Sequence, residues 1–445
     1  MNNIKITNCR IFTFNEENEI IDRGEIVIQG DSISYIGKVR DNHDAAARES
    51  CTRVIDAGGQ VCLPGFINAH THAPMTLFRG YADDLPLMIW LETKIWPAEE
   101  RLKGEDVYWG TLLSCLEMIK SGTTTFNDMY FFMEDMAKAV TESGIRAVLS
   151  RGLIGLDENK AALGLEETEE LIARWHQSAG GRIRVMFGPH APYTCQPDYL
   201  EKIMKKADHY KLPLHIHLAE TRFEVEQSLE LYQMTPIEHM ESLGLFEYPV
   251  VAAHCVHLSP NDIEILSRRN VAVAHNPGSN LKLASGVAPV PRLLEAGVTV
   301  SLGTDSAASN NNLDMLEEIR LAALIHKGVS LDPTVVPAYK ALEMACREGA
   351  KSIFWEDEIG MLKPGYKGDL ILMNLHKPHL CPLHDPAAHI VYAANSSDIE
   401  TVIINGEIVM ENREIKNMDE EKIMYHAQKQ ALALTGGIAD EGAVD

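Results

Sequence analysis

From residue 64 onward the chain repeats one pattern: a short apolar run, a polar residue able to bind a metal, a proton or a carboxylate, then a stretch with helical spacing. Eight such runs can be read. The first four are Phe66-Ile67-Asn68, Thr123-Thr124-Thr125-Phe126, Ala147-Val148-Leu149 and Ile183-Arg184-Val185-Met186-Phe187. The others are Leu214-His215-Ile216, Val250-Val251-Ala252-Ala253, Val271-Ala272-Val273-Ala274 and Val298-Thr299-Val300-Ser301-Leu302. They end at His70, Asp128, Arg151, His190, His217, His254, His275 and Asp305. The gaps, such as Leu165–Trp175, place apolar residues at helical spacing beneath a charged outer face. Strands alternating with helices predict βα units and a parallel sheet. Eight of them predict an α/β chain built on a (β/α)8 TIM barrel, which gathers the C-terminal strand ends at one mouth.

The two ends of the chain have another texture. Residues before 64 alternate short β-rich runs with Gly and Asp turns: Ile4–Ile6, Ile11–Phe14, Gly24–Ile28, Ser32–Gly37 and Arg53–Asp56. They read as an antiparallel β module. Similar runs return at Lys367–Met373, His389–Tyr392 and Ile399–Gly406. One small β-sandwich domain built from both chain ends accounts for them, with residues 1–63 and 361–420 flanking a barrel over 64–360 and a helix and tail over 421–445.

Composition narrows the chemistry. In 445 residues, 64 acidic against 40 basic side chains give a formal charge of −24, which disfavours nucleic acid and anionic membrane surfaces as partners. A small neutral or zwitterionic substrate fits better. The eight cysteines form no C-x-x-C pair and read as reduced thiols of a cytoplasmic protein. The N-terminus lacks a basic region followed by an apolar core, and no apolar stretch approaches the roughly 20 residues that span a bilayer.

The strand-end residues then suggest a metal centre. Leu63-Pro64-Gly65-Phe66-Ile67-Asn68-Ala69-His70-Thr71-His72 ends in two histidines at i and i+2, which share a face of a strand and can serve one ion. Leu214-His215-Ile216-His217 repeats the spacing; only one of its histidines is expected to face the interior with the strand-end carboxylate, and His217, nearer the strand end, is favoured. Glu220 lies just beyond as a general acid and base. His254 is placed to polarise a bound water or a developing tetrahedral centre, and Asp305 to bind metal and take a proton. His257 reads as a loop residue. No strand offers a lysine for a bridging carbamate, so one metal is expected rather than two. Its water, with a pKa lowered from about 15.7 towards 7, would be the nucleophile.

These residues, with Gly303-Thr304-Asp305, resemble the amidohydrolase superfamily in its mononuclear branch of adenosine, cytosine and guanine deaminases. The stretches His70–Met75, Arg79–Asp84, Trp96–Glu99 and His275–Lys282 resemble 5-methylthioadenosine/S-adenosylhomocysteine deaminases more closely. The resemblance spans essentially the whole chain. It implies hydrolytic deamination of an adenine nucleoside, whether 5-methylthioadenosine, S-adenosylhomocysteine, 5-deoxyadenosine or adenosine, to the inosine analogue and ammonia. It implies one divalent metal, zinc first and iron or manganese as alternatives, held by His70, His72, His217 and Asp305. Glu220 would protonate the purine ring nitrogen, while His254 and Asp305 handle the hydroxide and its proton. Glu99 would hold the ribose hydroxyls and His190 would contact the purine. Arg151 would meet the carboxylate of a homocysteine tail. The second arginine that relatives often carry in the following loop is absent from Gly152–Ala161, where Lys160 is the cation. A guanine, pterin or triazine hydrolase on the same scaffold is the alternative, separated from the first reading by Glu99 and Arg151. A non-catalytic barrel used as an assembly module is the distant one, and the intact ligand set argues against it. The expected partner is a small purine nucleoside, in a chain that can form a homo-oligomer.

Overall fold

Eight short strands hydrogen-bond side by side in chain order, all parallel: Phe66–Thr71, Thr123–Tyr130, Arg146–Leu153, Ile183–Pro189, Leu214–Leu218, Val250–His254, Ala272–His275 and Val300–Leu302. This computed structural model describes residues 3–39 and 52–436; Cys51 and the expected tail beyond residue 436 lie outside the described residues. All eight expected runs are strands, and the helices between them pack outside.

The ring closes between the eighth strand and the first without a regular ladder. The Asp305 N–H donates to the His70 carbonyl at 3.0 Å. The Asn68 side chain accepts from the Thr304 N–H at 3.0 Å and donates to its hydroxyl at 2.7 Å. Gly303 makes this approach feasible, because a Cβ there would lie 2.8 Å from both the backbone nitrogen and oxygen of His70. The seam that shuts the barrel thus also sets Asp305 beside His70.

Parity decides which strand-end residues reach the mouth. On the third strand Val148 packs inside the barrel, whereas Ala147, Leu149 and Leu153 join the outer core under the helices. Arg151 therefore shares the outward set. On the first strand the alternation is broken by a bulge between Asn68 and Thr71. Ile67 and Ala69 pack inside below the bulge, and His70 and His72 face the interior above it. Below these polar residues the interior is filled by Ile67, Val148, Met186, Val251 and the buried Trp355.

Strands from both ends of the chain form a second sheet of nine strands. Asn3–Phe12, Ile20–Gln29, Ser32–Lys38, Arg53–Asp56 and Val61–Pro64 come from the front; Leu370–Met373, Ile399–Ile404, Glu407–Glu411 and Glu414–Ile415 come from the rear. Val61–Pro64 joins the two halves, antiparallel to Leu370–Met373 and parallel to Asn3–Phe12. The sheet is therefore mixed rather than antiparallel, and it encloses its own core of Ile6, Ile26, Ile28, Leu370, Leu372 and Ile403. The run His389–Tyr392, expected as a strand, is instead the end of a helix, Pro386–Tyr392. Asp385 caps it by accepting from the Ala387 and Ala388 N–H groups, and this Asp-Pro start outweighs a short β-prone run. Among the described residues, seven cysteines are unpaired and no helix is long and apolar enough to cross a membrane.

Candidate metal centre and active site

Three imidazoles meet at the mouth with one nitrogen each held from behind. The His72 Nδ1 lies 2.5 Å from the Met129 carbonyl and the His217 Nδ1 2.6 Å from the His190 carbonyl. A carbonyl only accepts, so each Nδ1 carries a proton and each Nε2 is turned towards the common point. The His70 Nδ1 is 2.8 Å from the His215 Nε2, and the buried His70 Nε2 has no hydrogen-bond partner. The His72 and His217 Nε2 atoms are 3.3 Å apart. Asp305 spends one oxygen on the hydroxyls of Ser279 and Ser309, at 2.6 and 2.9 Å. Its other oxygen lies 3.3 Å from the His72 Nε2 and 3.5 Å from the His70 Nε2.

Bare lone pairs crowded around an orphaned buried nitrogen are what a metal ion needs from a protein. His70, His72 and His217, and likewise His70, His254 and Asp305, offer ligand atoms within 4.8 Å of one another. Burial pulls the His70 ring down to about 3 and the His217 ring well below its usual range, so both stay neutral and ready to ligate. Burial works to raise the Asp305 carboxyl, but the surrounding imidazoles outweigh it and keep the group ionised. The donor set fits a divalent metal of borderline softness.

Glu220 and His254 stand beside this set. The His254 Nε2 is 3.8 Å from a Glu220 oxygen, while its Nδ1 faces the Asn280 Oδ1 at 2.9 Å. Burial raises the Glu220 carboxyl, which favours the protonated acid. Burial opposes charge on His254, yet Glu220 and Asp305 together lift its pKa above the ordinary value. Ala219, His254 and Asp305 all adopt left-handed backbone, with φ of 51°, 73° and 58°. Strain of this kind at three strand ends around one mouth marks a site whose geometry the surrounding fold imposes.

A cavity of about 140 Å3 opens over these groups. Trp90, Leu91, Trp96, Phe131 and Ile154 give it apolar walls, with Glu99 and His190 at its polar points. Glu99 accepts from the Tyr130 hydroxyl at 2.7 Å, and burial pushes its carboxyl up to about 7. The His190 Nδ1 meets the Thr194 hydroxyl at 2.9 Å, and burial lowers the ring to about 4.

The structure thus brings together His70, His72, His190, His217, Glu220, His254, Asp305 and Glu99. It leaves out three strand-end residues. Asp128 accepts from the Ala73 N–H outside the barrel, and His275 turns outward to His326, 3.3 Å away. Arg151, to which the resemblance gives the substrate tail, lies on the outer side of the third strand. Its guanidinium lies over the Phe131 ring at 4.9 Å, bonds Glu167 at 2.7 Å, and lines a separate outer crevice. His215 also differs from expectation: it faces inward with His217 and supports His70 from below.

Glu224 goes unnoticed in the sequence reading. Its buried carboxylate accepts from the Ala219 and Glu220 N–H groups at 2.8 and 2.9 Å, fixing the turn that aims Glu220. Thr221-x-x-Glu224 is a helix-start signature that points to it, since Thr221 caps the helix Arg222–Tyr232. Ser279, Asn280 and Ser309 are equally hidden, because nothing in their spacing predicts which strand end they support.

A parallel barrel with histidines and an aspartate converging at its mouth is the framework of a metal-dependent hydrolase. Residues 61–409 match the amidohydrolase family, and the chain belongs to it. It is 55% identical to a 5-methylthioadenosine/S-adenosylhomocysteine deaminase from Pelotomaculum thermopropionicum, over 98% of this chain and 99% of that one. A zinc-bound adenosine deaminase from Xanthomonas campestris superposes with a TM-score of 0.92 at 32% identity, covering 97% of this chain and 98% of that one. A zinc complex of an atrazine chlorohydrolase from Arthrobacter aurescens superposes with a TM-score of 0.89 at 26% identity, covering 96% of this chain and 100% of that one.

Proposed function

We propose that this chain is a zinc-dependent deaminase of adenine nucleosides, converting 5-methylthioadenosine, S-adenosylhomocysteine or a close analogue to the inosine counterpart and ammonia. The observation that carries this reading is the set of Nε2 atoms and the Asp305 oxygen facing one point, with the buried Glu220 carboxyl alongside. The metal, when bound, supplies the Lewis acidity that makes water nucleophilic at neutral pH. His70, His72, His217 and Asp305 would hold it.

Glu220 donates its proton to the ring nitrogen beside the reacting carbon, which draws electron density from that carbon as water adds. His254, oriented by Asn280, accepts the proton that the water gives up, and Asp305 relays it towards the departing amine. Glu99 accepts hydrogen bonds from the ribose hydroxyls, held in place by Tyr130. His190, kept neutral, donates to the purine edge. Guanine or a triazine would leave the Glu99 and Tyr130 pair without a sugar to hold, so a nucleoside is the better fit. We assign the barrel to residues 64–360 and the β-sandwich to 1–63 with 361–420. The unpaired thiols suit a reducing, cytoplasmic setting.

Ammonia release tests this reading. Zinc-loaded protein is expected to deaminate 5-methylthioadenosine, S-adenosylhomocysteine or adenosine. Turnover of guanine alone would overturn it.

A further inference from the structure

His70 is supported differently from the other two histidines of the metal centre. Backbone carbonyls hold the Nδ1 atoms of His72 and His217, whereas the Nδ1 of His70 meets a side chain, the His215 Nε2, at 2.8 Å. A carbonyl is a fixed acceptor, but an imidazole accepts at one nitrogen only while its proton stays on the other. The support under His70 therefore depends on what holds the proton of His215.

A metal held by the His70 Nε2 uses the lone pair of that atom, so the His70 proton sits on Nδ1 and is donated to the His215 Nε2. The His215 proton is then on its own Nδ1, which is buried and has no hydrogen-bond partner among the described residues. Two more atoms of the barrel interior share that condition, the Asn127 Oδ1 and the Ser150 Oγ, and all three residues are completely buried.

These residues belong to one layer just below the metal ligands. Asn127 donates through Nδ2 to the Ala69 carbonyl at 3.0 Å, which fixes the orientation of its amide and anchors it beside His70. Ser150 follows the inward Val148 by two residues, and its Cβ lies 3.0 Å from where a Cβ on Gly188 would stand. Gly188 comes one step after Phe187, which pairs with Leu214, so it stands beside His215. A larger residue at 188 would come between Ser150 and the His215 ring; glycine leaves the way open.

One N–H donor, one carbonyl acceptor and one hydroxyl that can play either part are what a single water satisfies with three hydrogen bonds, the usual number for a buried one. We infer that an ordered water beneath the metal centre joins the His215 Nδ1, the Asn127 Oδ1 and the Ser150 Oγ, and that His215, locked in this way, is a positioning residue that fixes the tautomer and tilt of His70. The water accepts from His215, donates to Asn127 and shares a hydrogen bond with Ser150. The inference rests on the metal-centre reading above. Zinc affinity is then set partly from inside the barrel, by side chains that touch neither metal nor substrate.

A crystal structure of the zinc-loaded protein is expected to show this water within about 3.2 Å of all three atoms. A direct hydrogen bond from the His215 Nδ1 to either side chain, or density with no water between them, overturns the inference. Zinc dissociation constants of the full chain, measured by competition with a chelator, supply the second arm. His215→Phe keeps a ring but removes the acceptor, and is expected to weaken zinc binding about ten- to hundredfold. His215→Gln, whose carboxamide oxygen can accept from His70, recovers part of that loss; a glutamine variant as weak as the phenylalanine one overturns the tautomer role. Ser150→Ala is the gentler change and decides the matter if His215→Phe does not fold. It is expected to weaken zinc about fivefold while the melting temperature of the metal-free protein stays at the wild-type value. Unchanged zinc affinity in either variant overturns the inference alone. A wild-type protein that binds no zinc overturns the metal-centre reading, and this inference falls with it.

Discussion

At the base of the barrel Arg146 is completely buried, and its charge is answered on every side. Asp369 receives its Nε at 2.8 Å and a terminal nitrogen at 3.1 Å, Asn405 receives the same terminal nitrogen at 3.1 Å, and the Trp355 ring lies 5.0 Å away. At the mouth the reverse holds. The His70 Nε2 has no partner, three strand ends adopt left-handed backbone, and Glu220 sits buried and short of strong donors. A fold satisfies its buried polar groups unless something else is meant to satisfy them. The Arg146 charge is answered by the chain itself, whereas the ligand atoms at the mouth are left for what binds there. That contrast separates residues that stabilise the barrel from residues that work in it.

Removal of the metal is the most severe test. Chelation is expected to abolish ammonia release completely, and one equivalent of zinc to restore it, because the only ready nucleophile in the cavity depends on the ion. The melting temperature should fall with the metal, since the folded mouth binds it and the unfolded chain does not. Retained turnover in metal-free protein would break the comparison at its functional end.

Asp369→Ala attacks the other end. It strips the bidentate partner from a buried guanidinium, which costs about 3–5 kcal/mol in comparable pairs. Chemical denaturation should show that loss, while kcat/KM per folded molecule stays at the wild-type value. A large drop in kcat without loss of stability would mean that the base reaches the chemistry after all.

Much of this division was readable from the residues. Eight apolar runs became eight strands because each is short, β-rich and bounded by turn residues. His70, His72, His217 and Asp305 converge because parallel strands in a closed ring have no other place to put their ends. What escaped was side-chain direction. Asp128, Arg151 and His275 end strands just as His217 does, yet period-two alternation sends them to the helices. Applied strictly, the same alternation would part Ala69 from His70, and only the bulge after Asn68 lets both face inward. Bulges are tertiary events with little local signature. The supporting Ser279, Asn280 and Ser309 were illegible for a related reason, since loops meet across the mouth only after the barrel has closed.

A smaller effect tests the ties between those loops. Glu318 is buried beneath the mouth and accepts from the Gly278 N–H at 2.9 Å and the Asn310 side chain at 2.7 Å. It thereby joins the segments that carry Ser279, Asn280 and Ser309. Burial raises its carboxyl from 4.5 to about 8. The folded state then holds a proton that the unfolded chain releases, so stability falls as pH rises from about 4.5 to about 8. Glu318→Gln cannot ionise, so it should gain about 2–4 °C in melting temperature relative to wild type as pH moves from about 5 to 9. A constant offset between the two curves would show that the group is ionised throughout.

Arg151→Ala should do least. The resemblance to nucleoside deaminases implies a role for this arginine at the substrate tail, but its place on the outward parity of the third strand gives it Glu167 and Phe131 instead. The pair with Glu167 is half open to water and is worth about 0–1 kcal/mol. The variant should therefore lose little stability and change kcat/KM for S-adenosylhomocysteine by less than about twofold. A tenfold rise in KM confined to S-adenosylhomocysteine would mean that the guanidinium leaves Glu167 and swings over Gly152 into the cavity when substrate arrives. The line between mouth and barrel wall would then be redrawn by the ligand, and Arg151 would answer the carboxylate.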